Sequence, residues 1–325
     1  MIFPSDEDMM NGPNALDGFK SEFKLDYPDD YRAGFACLIG RPNAGKSTLT
    51  NALVGEKVAI TSMRPQTTRH TIRAVVHKDN GQIVLVDTPG LHRPRTLLGK
   101  RLNEMVRETL SDVDAILFCL PSNQKIGPGD RFIASQLSLI KTPVIAVVTK
   151  IDLISDKDLI EYLLDVSKLY DFADIIPVSA VEDMQVQELS ELVLSKMPQS
   201  PPLYPENELT DESDEVMIAE LVREAALEGV RQELPHSLAV VVEEMITHVN
   251  KQNKEIVNIY VNLFVERDSQ KAIIIGKNGY RLKSVGTRAR LAIEKFLNKK
   301  VFLDFHVKTA KDWQRDPKQL KKLGF

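Results

Sequence analysis

The sequence predicts an α/β domain, with a mostly parallel sheet and helices on both faces, followed by a smaller α+β unit. Three observations carry this. Short apolar runs alternate with amphipathic helical stretches from residue 34 to residue 196. The alternation stops at Pro198, Pro201, Pro202 and Pro205, and residues 206–215 then hold six acids and no base. Beyond them the order changes to helix, strand, strand, helix, strand.

Residues 1–32 carry eight acids against three bases with no sustained apolar period. Such a composition buries too little apolar surface to order itself, so an acidic, disordered extension is expected. The first domain is expected over residues 33–200. Its strands fall at residues 34–39, 71–77, 82–86, 115–120, 144–148 and 174–178, several of them apolar throughout, as a sheet covered on both faces requires. Its helices fall at residues 99–110, 130–140, 157–170 and 186–196, with one more opening at Thr48. In an open sheet of this kind ligands sit beyond the carboxyl ends of the strands. Residues 201–215 read as a Pro-rich acidic linker. The second unit, residues 216–325, has a helix over 216–231, strands over 238–242 and 256–265, an apolar turn at 273–275 entering a helix, and a last strand over 301–307.

At 325 residues the chain is long enough for two cores, and 43% apolar with 27% charged residues is an ordinary water-soluble composition. No stretch is apolar enough to span a membrane, and Met1 to Asp6 lacks the basic start and apolar core of a secretory signal, so the expected location is cytoplasmic. Cys37 and Cys119 fall in apolar strands and read as buried, reduced thiols; the six histidines show no metal-ligand spacing. The net charge of -4 averages a polarised chain, because residues 270–325 hold fifteen Lys and Arg against four Asp and Glu. A basic end of this kind suits a polyanionic partner.

Chemistry enters after the first strand. Gly40-Arg41-Pro42-Asn43-Ala44-Gly45-Lys46-Ser47 lies between an apolar strand and a helical segment, the setting of a phosphate-binding loop. Glycines let the backbone curl so that N–H groups face phosphates, and the helix N-terminus adds positive potential. Lys46 would reach the terminal phosphates and Ser47 would ligate Mg²⁺. Asp87-Thr88-Pro89-Gly90 closes a second strand, placing a carboxylate beside the same cation and the Gly90 amide where a γ-phosphate is sensed. Thr149-Lys150-Ile151-Asp152 closes a third, and Asp152 can accept from both N1–H and the 2-amino group of guanine, a donor pair that adenine lacks. Ser179-Ala180 closes a fourth and offers a backbone N–H to guanine O6. The ligand read from these residues is GTP or GDP.

These strand ends resemble the translation-factor-related GTPases. Gln66-Thr67-Thr68-Arg69-His70 together with Asp87-Thr88-Pro89-Gly90-Leu91-His92 is similar specifically to the Era family, over everything from Phe35 onward. The resemblance implies that Thr67 and Thr68 lie in the first switch and that one of them completes the Mg²⁺ shell, so Ser47, Asp87 and Thr68 are the candidate metal ligands. Lys46, Asn43, Thr67, Thr68 and Gly90 are the candidate catalytic residues. Two departures stand out. Thr149 occupies a position where the family usually has Asn, and a hydroxyl replaces only part of an amide's hydrogen bonding, which predicts weaker purine binding. Leu91 follows Gly90 where Ras-like enzymes carry a water-positioning Gln, which predicts slow intrinsic hydrolysis. The resemblance to GTPases with an apolar residue there and an Asn like Asn43 implies a bound monovalent cation, K⁺ being the candidate, with a helix-entry residue that only shapes the loop the competing reading of Asn43.

In the second unit, Gly276-Lys277-Asn278-Gly279 is a Gly-x-x-Gly loop opening a helix, with Arg281, Lys283, Arg288 and Arg290 behind it. The element order resembles a type II KH domain, in which such a loop admits single-stranded RNA backbone and nearby cations meet phosphates. Tyr280 and Trp313 offer rings for stacking, with burial the competing reading for Trp313. The family likeness implies the 3′ region of small-subunit ribosomal RNA, a role in small ribosomal subunit assembly, and loose peripheral membrane contact. A non-enzymatic RNA-binding scaffold with a structural nucleotide is the rival from another class; a P-loop ATPase or kinase is disfavoured by Asp152.

Overall fold

The computed structural model describes residues 27–61, 72–91, 96–138, 140–228, 237–249 and 255–323. The acidic extension as far as residue 26 lies outside the described residues, as do Gln66, Thr67, Thr68, Arg69, His70 and His92.

The first sheet has the order β2-β3-β1-β4-β5-β6. Its strands are β1 (Arg32–Ile39), β2 (Ile72–Lys78), β3 (Gly81–Asp87), β4 (Ala115–Pro121), β5 (Val144–Thr149) and β6 (Asp174–Val178). All pairings are parallel except that of β2 with β3, at one edge. The strands alternate between two cores, as period-two side chains must. Ala36 and Leu38 of β1 enter one core and Cys37 and Ile39 the other. Leu49 and Leu53 of α1 (Lys46–Val54) share the first core with Leu189 and Val193 of α5 (Val186–Lys196). The opposite core takes Val106 of α2 (Leu97–Ser111), Ile133 of α3 (Pro128–Leu137) and Val166 of α4 (Asp156–Ser167). After β1 the chain fills β2 and β3 on one side and then crosses to β4 on the other, so the crevice beyond β1 is the switch point of the sheet.

Two helix limits differ from the periodicity. α3 begins at Pro128, which has no N–H to leave unsatisfied, and Asp130 accepts from Gly127 N at 2.8 Å. α4 ends at Ser167, because Leu169 N turns back to Val166 O. Cys37 and Cys119 are both buried, and burial pushes the Cys119 thiol up to about 12, so neither offers a thiolate at neutral pH. No helix of the described residues is long and apolar enough to cross a membrane.

The Pro-rich segment is ordered against the first sheet instead of running free. Ala33 N bonds Pro198 O and Ser200 N bonds Tyr31 O. The Gln82 amide donates to Tyr204 O and its carbonyl accepts from the N–H of Leu203 and of Tyr204. Val75 N then reaches Leu209 O, and Thr210 bridges antiparallel to Ala74. The acidic strap thus covers the open edge of β2 and gives its backbone groups partners that a proline-rich chain cannot supply to itself.

The second unit runs α6 (Asp214–Leu227), β7 (Ala239–Val249), β8 (Glu255–Val265), α7 (Asp268–Ile275), α8 (Tyr280–Leu297), β9 (Lys300–Thr309) and α9 (Pro317–Lys322). β8 is central, with β7 antiparallel and β9 parallel to it. Residues 273–275 are the last turn of α7, where the sequence suggested only an apolar turn. Three consecutive isoleucines read as extended, but the Gln270 side chain accepts from Glu266 N and Arg267 N, which closes the helix start. β7 also continues well past residue 242: polar Glu244, Thr247 and His248 break the apolar run, yet they stay paired with β8 across a bulge at Val242/Glu244.

The two units meet at two places. Ile60, just after α1, is buried among Ile218, Val222, Val257 and Val285 of the second core. Leu98 and Leu102 of α2 pack with Ala239, Trp313, Leu320 and Leu323.

Candidate active site

The loop after β1 is built by close approaches that few residues tolerate. Gly45 opens α1 at φ 92 with no side-chain cap, which leaves the first amides of the helix to a ligand. Gly90 lies so close to the loop that a Cβ there would sit 2.9 Å from Pro42 N. The Gly40 carbonyl accepts from Leu91 N at 3.2 Å and from Lys46 Nζ at 3.4 Å, and Arg41 O from Lys46 Nζ at 3.5 Å. The Lys46 ammonium is buried, which holds its pKa below the usual lysine value, while the Asp87 carboxylate opposes that shift. Ser47 Oγ donates to Asp87 Oδ2 at 2.7 Å. A hydroxyl and a carboxylate held together at the mouth of this loop are the hard oxygen donors that Mg²⁺ prefers, so the residues present fit that ion. The neighbouring Thr88 hydroxyl is spent on Leu38 O at 2.7 Å and braces the end of β1.

The β5 end braces the same loop from the other side. Thr149 Oγ1 donates to Ala44 O at 2.7 Å, and Lys150, at φ 61, donates from Nζ to Asn43 O at 2.9 Å. The hydroxyl that sequence reading assigned to the purine is therefore buried against the phosphate loop, and its loss would act on the loop before the base. Ile151 anchors the turn in the core, which leaves Asp152 exposed and hydrogen-bonded by Ser179 Oγ at 2.6 Å. Ser179 Oγ also accepts from Glu182 N at 3.2 Å, and Ala180, beside it, packs on the first core. The Gly40–Ser47 loop, Asp87 to Leu91, Thr149 to Asp152 and Ser179–Ala180 so converge beyond the carboxyl ends of β1, β3, β5 and β6.

One residue of this site was missed by the sequence, and one loop residue is placed differently from its expected role at the phosphates. Ser122 belongs to none of the motifs read from the sequence, yet its hydroxyl donates to Lys150 O at 2.8 Å and its N–H to Thr149 O at 2.9 Å. Arg41 points away from the loop to Asp130, Nε to Oδ1 2.9 Å, a carboxylate that is wholly buried.

In the second unit Gly276 and Gly279 adopt φ 72 and φ 74, with Lys277 and Asn278 exposed between them. Tyr280 is 80% exposed, and Lys283 and Arg290 are exposed as well. Arg281 and Arg288 are placed differently from the sequence expectation. Arg281 donates to Ala226 O and Glu228 O, and Arg288 donates to Ala225 O and pairs with Glu228 at 2.8 Å. Both guanidinium groups therefore satisfy carbonyls at the C-terminus of α6, where the helix dipole favours cations. Trp313 is fully buried and donates from Nε1 to Ser237 O at 2.9 Å, so of the two rings the sequence offered only that of Tyr280 is exposed.

This fold and these strand ends define a P-loop GTPase joined to a KH domain. A family model described as 50S ribosome-binding GTPase matches residues 35–150, and one described as KH domain matches residues 233–314. The chain is 60% identical over 302 residues to GTPase Era of Streptomyces coelicolor, covering 91% of this chain and 95% of that one. It is 58% identical over 299 residues to GTPase Era of Mycobacterium avium, covering 91% and 99%. Among solved structures it is similar to Era in complex with MgGDPNP and nucleotides 1506–1542 of 16S ribosomal RNA, with TM-score 0.86, 35% identity and coverage of 90% and 99%. A variant of Aquifex aeolicus Era bound to GDP.AlF4- gives TM-score 0.85 at 34% identity, covering 90% and 99%. The chain belongs to the Era family of GTPases.

Proposed function

We propose that the chain binds GTP at the convergence of its four strand ends, hydrolyses it to GDP and phosphate, and engages the 3′ region of small-subunit ribosomal RNA through its KH domain during assembly of that subunit. The observation that carries the nucleotide reading is the joint placement of Lys46, the Ser47–Asp87 pair and the Asp152–Ser179 pair around one crevice. Loop amides from Gly40 to Ser47 and the Lys46 ammonium hold the phosphates, and the Gly90 amide, pressed onto Pro42, reports the γ-phosphate. Asp152 selects guanine, aligned by Ser179, with Ala180 beside it facing O6. Mg²⁺, taken by Ser47, Asp87 and Thr67 or Thr68, offsets phosphate charge when bound. RNA backbone lies over Gly276 to Gly279 and meets Lys277, Lys283 and Arg290.

Domain limits of 33–200 and 216–325, joined by the strap, fit this reading, as does the presence of MgGDPNP and a 16S fragment in the Era complex. Multiple-turnover phosphate release from GTP, lost in Lys46→Ala, tests the enzyme; a single bound nucleotide that never turns over would favour the scaffold. Crosslinking the full chain to cellular RNA and sequencing the fragments tests the partner. The peripheral membrane contact carried by the family likeness is tested by flotation of the full chain with anionic vesicles.

A further inference from the structure

A cleft of about 880 Å³ opens between α3 and α4, and its lining shares no residue with the nucleotide crevice. That volume is in the range of small-molecule sites. One wall is small, with buried Ala134 and exposed Ser135 of α3; the other is aromatic and apolar, with Tyr162 of α4 and Leu169 and Tyr170 after it. Small side chains opposite large ones leave a slot that the two helices do not fill themselves. The rim is cationic: Lys125, Arg131 and Lys168 against Asp165 alone. Lys168 and Asp165 are 3.8 Å apart and largely exposed, so they hold each other weakly, and neither Lys125 nor Arg131 forms an ion pair among the described residues.

The inner wall carries a second signal. Tyr162 is 9% exposed, and its hydroxyl has no hydrogen-bond partner among the described residues. A buried phenol without a partner is costly, and because its oxygen is closed off from the cleft, its ring is what it contributes to the wall. Burial, with the Asp130 carboxylate beside it, pushes its ionisation up to about 12, so it keeps its proton at neutral pH. Asp130 in turn accepts from Gly127 N at the start of α3 and pairs with Arg41 of the phosphate loop. Movement of α3 against α4 is therefore tied to that loop through one buried carboxylate.

We infer that this cleft is a second ligand site, for a flat aromatic molecule bearing an anionic group, and that its occupancy is felt at the nucleotide through Asp130 and Arg41. The ring would lie between Ala134 and Leu169 with Tyr170, and the anion at Lys125 and Arg131, where a guanidinium offers paired donors. The second half rests on the nucleotide reading above. The test uses the full chain loaded with GDP and Mg²⁺, titrated with 8-anilinonaphthalene-1-sulfonate. The expected result is saturable binding of one equivalent, weakened at least ~10-fold by Lys125→Glu with Arg131→Glu and blocked by Ser135→Trp, an exposed lining position where the ring fills the cleft and spares the core. Release of radiolabelled GDP should change at least ~2-fold on saturation in the unaltered protein and stay constant in the double variant. Absence of saturable binding, or binding that survives both variants, overturns the site. Binding with unchanged release overturns the link to the loop. A chain that fails to retain GDP before any probe is added contradicts the nucleotide reading instead.

Discussion

On the proposed reading, Asp152 is where one side chain decides which base the site accepts. Its carboxylate is exposed but oriented by Ser179 at 2.6 Å, so it arrives at the base already aligned. Hydrogen bonds to a charged group contribute about 1.5–3 kcal/mol, so Asp152→Asn should weaken GTP by ~10–100-fold and favour xanthosine triphosphate, whose 2-oxo group accepts from the new amide. Competition binding with both nucleotides checks this; unchanged GTP affinity would remove Asp152 from the base. Asn43 raises a separate question, because Leu91 leaves no glutamine to position water, and a cation fixed in a dry site stabilises developing charge far more than in water. Lys46 is committed to ground-state phosphates, so we expect K⁺, held in part by the Asn43 side chain, to supply the missing charge. The structure also dictates how to test it. Asn43 sits at φ 63, where alanine is strained by about 1–2 kcal/mol, so Asn43→Gly is the cleaner deletion. Turnover in K⁺ should exceed that in Na⁺ at equal ionic strength, and Asn43→Gly should abolish the difference while GTP binding persists. Equal rates in the two salts exclude the side chain from hydrolysis.

At the scale of elements, α6 does more than cap the second core. Glu224 accepts from Thr61 N at 2.9 Å and from its hydroxyl at 3.3 Å, and it pairs with Lys57. Thr61 is the last described residue before the segment expected, from the resemblance, to carry the switch threonines Thr67 and Thr68, so the chain entering it is fastened to α6. Glu224→Ala should leave GTP affinity within about twofold and reduce the effect of bound RNA on turnover, since the two units lose a link worth ~1–3 kcal/mol. An RNA response equal to that of the unaltered protein would exclude this docking from the coupling. One turn earlier, Glu220 and Arg223 form a buried ion pair. Arg223→Ala strands the carboxylate and should lower stability by about 3–5 kcal/mol, read as a lower urea midpoint. What sequence alone revealed follows the same division. The phosphate loop and the strand-end motifs were legible because their backbone demands are local: a glycine at φ 92, a carboxylate at the end of a buried strand. The strap along β2, the length of β7 and the roles of Arg281 and Arg288 were not, because each depends on a partner far away in the chain, such as Gln82 for residues 203–204 or the end of α6 for the two arginines. The helix α7 was missed for a local reason, three β-branched residues at its end.

Over the whole molecule charge is divided: acids dominate the strap at residues 206–215, and cations gather around the Gly-x-x-Gly loop. The loop glycines themselves make poor probes of RNA binding. A Cβ at Gly276 would lie 2.6 Å from the Arg281 Cβ, and Arg281 holds the end of α6, so an aspartate there damages the fold along with any interface. Lys277 and Lys283 are exposed and hold no ion pair among the described residues, so reversing both to glutamate changes the surface and spares the core. Each phosphate contact on a single strand contributes about 0.7 to the slope of log affinity against log salt. Lys277→Glu with Lys283→Glu should therefore lower that slope by about 1.4 and weaken RNA carrying the 3′ small-subunit sequence at low salt more than at high salt. GTP turnover without RNA should be unchanged, because neither residue touches the contacts at Ile60, Glu224 or Trp313 that join the units. Titrations at three or more salt concentrations, with phosphate release measured in parallel, give both readouts. An unaltered slope would move the RNA path away from this loop, and loss of basal turnover would mean that the KH surface acts on the nucleotide site even without RNA.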